Sequence, residues 1–175
     1  MFQNSKIKLT GLAILALGLV LAACGQPKNF ITIGGCPAVG VLSHLGSFTR
    51  FNSTSQTSEN VIFDASITNL DYTCRESKTI DTTISFSIQA HRGPAMTSDV
   101  YNITYIVVVI KDNYQITTKK KFTTQIRFAP GQETAGVRET FIQRFDDVDA
   151  SIRYDYEVFV GFEMSPEELQ FNVVR

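Results

Sequence analysis

The chain contains no tryptophan, two histidines (His44 and His91), three cysteines and five prolines in 175 residues. Two isolated histidines give no pair at metal-ligand spacing, and the cysteines contain no Cys-x-x-Cys. Ser43-His44 lacks the Gly-x-Ser-x-Gly turn that exposes a hydrolase nucleophile. Asp146, Asp147 and Asp149 cluster, but the sixth-position glycine and closing glutamate of a calcium loop are missing, so they read as a solvated hairpin turn. Sixteen basic and 17 acidic side chains leave a net charge of −1, with no basic footprint for nucleic acid. The sequence therefore assigns no catalytic, cofactor-binding or metal-ligating residue, and the chain reads as a non-enzyme.

The N-terminal segment is the most informative part of what is there. Lys6 and Lys8 precede an apolar run, Leu9 to Val20, of about a dozen residues. That is too short for a membrane-spanning helix of ~20 residues and suits the core of a secretory signal. The run ends in Leu21-Ala22-Ala23-Cys24, which resembles a bacterial lipobox. The resemblance implies cleavage before Cys24 and a diacylglycerol on its sulfur, usually with a third acyl chain on its amine. Two or more acyl chains anchor stably where one does not. Glycine rather than aspartate at position 25 favours the outer membrane by analogy with enterobacterial sorting, the domain facing the periplasm. The alternatives are an uncleaved N-terminal helix, or ordinary cleavage leaving a free thiol at Cys24.

On this reading residues 1–23 are a signal peptide, 24–35 a lipidated tether and 36–175 a single domain. Removing 1–23 leaves 152 residues with 14 basic and 17 acidic side chains, a net charge of −3, which argues against a second, polybasic membrane contact. With Cys24 committed to lipid and the compartment oxidising, Cys36 and Cys74 are expected to form a disulfide. Buried free thiols, or a thiol pair binding metal or doing redox chemistry, are the alternatives.

Hydrophobic periodicity is two almost throughout. Cys36–Leu42 reads as a first strand, Ser43–Phe51 is unassigned, and Asn52–Asn60 is a polar loop. Val61, Phe63, Ala65 and Ile67 alternate with polar residues, in a strand reaching Cys74 through a bulge near Asn69. The cleanest alternation has Ile80, Thr82, Ile84, Phe86, Ile88 and Ala90 on one face. Tyr101–Lys111 and Tyr114–Phe128 flank the turn signal Asp112-Asn113, with Ile116, Phe122, Ile126 and Phe128 expected inward. Val137–Phe145 and Arg153–Met164 are expected to pair around the acidic turn. Ser165-Pro166-Glu167-Glu168 predicts a helix start: an N-cap, a first-turn proline and a capping box. About seven strands and a short C-terminal helix predict an all-β sandwich of immunoglobulin or fibronectin type III kind, without the tryptophan of true immunoglobulin domains. A small closed barrel is the second choice.

Two features stand out as surfaces. Tyr105–Ile110 is apolar on both faces, so if Ile103, Tyr105, Val107 and Val109 point inward, then Ile106, Val108 and Ile110 point out and need cover. The C-terminal helix, the Ser43–Phe51 segment or another protein could supply it. Arg92-Gly93-Pro94-Ala95 is a compact loop, either a structural corner or a binding loop with Arg92 as the anion contact. Lys119-Lys120-Lys121 reads as a charged edge that blocks strand addition, or as a contact to anionic lipid or a partner.

The chain resembles a family of uncharacterised lipoproteins from Gram-negative bacteria. The pieces are the lipobox, Cys36-Pro37, Cys74, Arg92-Gly93-Pro94-Ala95, the apolar strand from Tyr101, and Gly161-Phe162-Glu163-Met164-Ser165-Pro166-Glu167-Glu168-Leu169. The strand reads Tyr-Ile-Val-Val-Val where the family pattern is Tyr-Phe-Val-Ala-Val. The resemblance carries no activity, cofactor or catalytic residue. The leading expectation is a lipid-anchored, non-enzymatic scaffold or accessory subunit of an envelope assembly. The alternatives are a small-ligand or lipid-binding module and an envelope hydrolase or hydrolase inhibitor.

Overall fold

The computed structural model describes residues 36–77, 79–146 and 155–174. The signal peptide, Cys24, the tether, most of the acidic turn (147–154) and the first residues of the last expected strand lie outside the described residues.

Eight strands form two four-stranded sheets facing each other, as the alternating pattern predicts. The first sheet holds β1 (Ala38–Val41), β8 (Tyr156–Phe162), β5 (Val100–Lys111) and β6 (Gln115–Arg127), in that order. The second holds β2 (Ser47–Phe51), β3 (Val61–Glu76), β4 (Ile80–Arg92) and β7 (Thr134–Phe145). Helix α1 (Pro166–Val174) follows β8. The eighth strand is β2, in the segment whose sequence shows no clear period.

Each strand turns its apolar alternate residues to the shared core. On β4, Ile84, Phe86, Ile88 and Ala90 are fully buried. They face Phe63 and Ala65 of β3 within the sheet, and Ile103, Tyr105, Val107 and Val109 of β5 with Val158, Val160 and Phe162 of β8 across it. The β3–β4 ladder slips between Thr68 and Asp71, where Asn69 takes a φ of 51°, so the expected bulge is present. Asn tolerates this left-handed conformation better than a β-branched residue would. Asp112 and Asn113 take φ of 55° and 63°, the primed geometry that matches strand twist in a tight hairpin.

Two expectations are corrected. The segments Val137–Phe145 and Arg153–Met164 do not pair with each other. β7 joins β4 in the second sheet, whereas β8 joins β5 and β1 in the first. β1 runs parallel to β8. Ile116, expected inward, is 62% exposed. The β5–β6 register shifts between Val109 and Ile110, and the hairpin end runs past the core there.

Candidate functional site

The structure joins Cys36 to Cys74 in a disulfide. The geometry follows from strand lengths. β2 pairs with β3 only as far as Ser66, so the half of β3 beyond the Asn69 bulge is a free edge. The residues leading into β1 pass that edge, and the bond ties the first sheet to the second. Glu76 brings a carboxylate oxygen to 3.8 Å from Cys36 Sγ. Cys36, Cys74 and Glu76 are the one group of three potential metal ligands among the described residues. With the two sulfurs bonded to each other, neither offers the thiolate a metal needs.

Ile106, Val108 and Ile110 lie on the outer face of β5, opposite the core-facing Tyr105, Val107 and Val109. Ile106 and Val108 are nevertheless only 5% exposed, and Ile110 is half-buried. Residues leaving β1 supply cover. Ile106 sits beside Gly161 of β8. A Cβ at Gly161 would come within 2.8 Å of Leu45 Cβ and 3.2 Å of Leu42 Cβ, so the glycine is what lets these leucines lie against the sheet. Val108 sits beside Phe159, whose ring lies 3.1 Å from where a Cβ on Gly40 would be. The 43–51 segment, one of the three candidate covers, thus contributes through Leu45. On the other flank Lys121 and Lys119 pair with Ile106 and Val108 across the β5–β6 ladder. Lys121 forms an ion pair with Glu163 at 2.8 Å, and that hydrogen bond holds the Glu163 carboxyl below its usual range.

Arg92 occupies a structural corner. Its guanidinium pairs with Asp99 at 2.9 Å, donates from Nε to the Gln132 carbonyl at 3.2 Å, and lies 5.1 Å above the Phe128 ring. A Cβ on Gly93 would fall 2.2 Å from the Val61 carbonyl oxygen, so only glycine fits. Gly93 and Ala95 donate backbone N–H groups to the Ile62 and Val61 carbonyls. His44 and His91 are both exposed, and neither joins a group of potential metal ligands among the described residues.

A further constellation forms where α1 packs along β2. The capping box is present: Ser165 N–H donates to Glu168 Oε2 at 2.9 Å, and Glu168 N–H donates to Ser165 Oγ at 3.2 Å. The other Glu168 oxygen takes Arg50 Nε at 2.7 Å, and the Arg50 guanidinium lies 5.2 Å above the Phe48 ring. Phe51 meets Phe171 edge-on at 5.0 Å. Asn172 Nδ2 donates to the Ser47 carbonyl and, at 3.0 Å, to the His44 carbonyl. An open cleft of about 780 Å³ lies beside it, lined by Arg50, Asn52, Thr54, Gln56 and Glu167 among others. The sequence shows the capping box but not its second use. Arg50 falls where no hydrophobic period announces a strand.

At the opposite side Phe86, Tyr105, Phe122 and Phe141 form a ring cluster, with Tyr105 and Phe122 stacked at 5.3 Å. Tyr105 Oη donates to Glu139 Oε2 at 3.0 Å. Burial, then the adjacent Glu139 charge and this hydrogen bond, push the phenol above its ordinary range. Lys120 also faces inward here, between the outward Lys119 and Lys121, and donates to Gln143 Oε1 at 3.4 Å.

The chain matches no protein-family model, no curated protein and no solved structure.

Proposed function

We propose that this chain is a lipid-anchored envelope protein, held through Cys24 at the periplasmic face of the outer membrane, with a non-enzymatic scaffold or accessory role in an envelope assembly. The observation that carries the reading is Leu21-Ala22-Ala23-Cys24 at the end of a signal-length apolar run. The Cys36–Cys74 bond supports it, since structural disulfides persist in oxidising compartments. Arg92, the best anion-binding candidate in the sequence, is engaged in holding its own loops, which favours scaffold over catalyst. A ligand pocket between the sheets would need space where Phe63, Phe86, Phe128 and Phe162 are fully buried side chains of the core.

The test is metabolic labelling with a clickable fatty acid, followed by mild crosslinking in cells and membrane fractionation. The expected result is a labelled outer-membrane band with a specific adduct to another envelope protein, the label disappearing in Cys24→Ala. An unlabelled wild-type chain would refute the anchor. A labelled chain free of adducts would refute the assembly role.

A further inference from the structure

Every open sandwich has sheet edges, which present unpaired backbone groups to any extended strand. In this fold the edges are treated unequally, and the far half of β3 that β2 leaves unpaired is crossed by the Cys36–Cys74 bond. β1 is only four residues long. β2 is overlaid by α1, whose Asn172 takes up the Ser47 carbonyl. β6 carries Lys119-Lys120-Lys121, turns Lys120 inward and has an irregular register with β5. Short length, cover, inward charge and bulging are the usual ways to block strand addition. β7 has none of the first, second or last. It is 12 residues long, its register with β4 is unbroken from Thr134 to Phe145, and β4 is its one strand partner among the described residues. It contains no proline or lysine. Its inward Glu139 is tied to Tyr105, and Arg144 is tied to Asp81 of β4 by two hydrogen bonds of 2.7 and 3.0 Å. On its wet face stands Ile142, 63% exposed.

We infer that β7 is a self-association edge: two copies of the chain pair antiparallel along β7 about a two-fold axis at Ile142, merging two four-stranded sheets into one. The charge pattern selects this register. Antiparallel partners share a face, so the axis passes through one residue and its own copy. An axis at Arg138 or Glu139 sets like charges directly opposite. An axis at Phe141 sets Arg138 against Arg144. An axis at Thr140 leaves Ile142 against Arg138, one at Gln143 leaves it against Arg144, and one at Val137 leaves it without a partner on β7. With the axis at Ile142, the two isoleucines cover each other and Arg138 of one copy lies opposite Asp146 of the other, at both ends of the pairing. The inference is independent of the membrane address.

The test uses the full chain in mild detergent as a dilution series from ~100 µM, where even a micromolar contact is saturated. Light scattering should give a dimer for wild type and for Ile116→Lys, whose parent side chain is equally exposed but lies on the lysine-rich β6 edge. Ile142→Lys sets two ammonium groups face to face and should weaken dimerisation at least ~10-fold. Under mild oxidation Ile142→Cys should form a crosslinked dimer and Ile116→Cys should not, beyond whatever Cys24 gives in wild type. Arg138→Asp should dissociate the dimer, and adding Asp146→Arg should restore it. A monomeric wild type overturns the inference. So does a dimer untouched by Ile142→Lys and uncrosslinked by Ile142→Cys, which would place the contact elsewhere, the Cys variant holding even if the Lys variant misfolds.

Discussion

The two open sides of this sandwich are closed by different chemistry. Beside β1 and β2 discrete bonds are added to the Phe48–Phe162 and Phe51–Phe171 ring contacts: the Cys36–Cys74 disulfide, the Arg50–Glu168 ion pair and the Asn172 contacts to the edge of β2. Beside β6 and β7 the closure is made of buried aromatic area, with Phe86, Tyr105, Phe122 and Phe141 packed ring against ring and Tyr105–Glu139 and Lys120–Gln143 as polar links among the described residues. The first side resists opening through constraint on the chain, and the second through removal of apolar surface from water. A bond of the first kind acts largely on the unfolded ensemble, whereas packing of the second kind acts on the native state. The edges follow the same division. The constrained side leaves the far half of β3 unpaired but tied down by the disulfide at Cys74, while the packed side leaves all of β7 exposed.

The largest effect should come from the packed side. Phe86 is fully buried and touches both Tyr105 and Phe141 edge-on. Phe86→Ala is expected to cost about 3–5 kcal/mol, as for other buried Phe truncations. Urea unfolding should show a lower midpoint with an unchanged slope. A loss near 1 kcal/mol would mean that the cluster collapses onto the gap and that the two sides differ less than their geometry suggests.

The constrained side should respond less, and differently. Cys36 and Cys74 are 38 positions apart, and in the loop-entropy account their bond contributes about 2–4 kcal/mol. Cys36→Ser with Cys74→Ser should lower the midpoint and raise the slope, because the unbridged unfolded chain exposes more surface. Near-ultraviolet circular dichroism of the native state should stay unchanged. Loss of native signal would show that the bond also holds the sheets in register, which would erase the proposed division.

The same division explains what the sequence reveals. Packed strands announce themselves, because burial of one face imposes alternation. Ile80 to Ala90 could be assigned to one face residue by residue, and the Asn69 bulge and the Ser165–Glu168 box are written in residue types that favour those backbones. The constrained side is less legible. β2 is short, pairs with only part of β3 and is covered by α1, so no period of two survives in Ser43–Phe51. The parallel β1–β8 pairing and the crossing of β7 to β4 are long-range choices that alternation does not encode. Ile116 misleads because the inward pattern continues past the point where the core ends. The outer face of β5 was visible as a need for cover, but the small Gly161 that admits Leu42 and Leu45 becomes meaningful only once β5 and β8 are known to be neighbours. The Cys36–Cys74 pairing was legible in the cysteine count, whereas its position across the two sheets was not.

The smallest effect tests the polar link within the packed side. Tyr105→Phe removes the hydrogen bond to Glu139 while keeping the ring, and should cost about 0.5–1.5 kcal/mol at neutral pH. Its pH dependence is the sharper readout. The phenol is raised above its ordinary value by burial and by the neighbouring Glu139 charge. The folded state therefore keeps its proton at a pH where the unfolded chain has begun to release it, near pH ~10. The stability that the protonated Tyr105 contributes is fully present below that pH and is lost as pH rises beyond it. A phenylalanine cannot ionise, so the stability gap between wild type and Tyr105→Phe should narrow between pH 8 and pH 11 as wild type falls faster. Matched urea titrations across that range would measure it, with the other tyrosines and the lysines cancelling in the difference. A gap that stays constant would mean that Tyr105 reaches water readily, and that the aromatic side is held by ring packing without help from its one phenol–carboxylate bond.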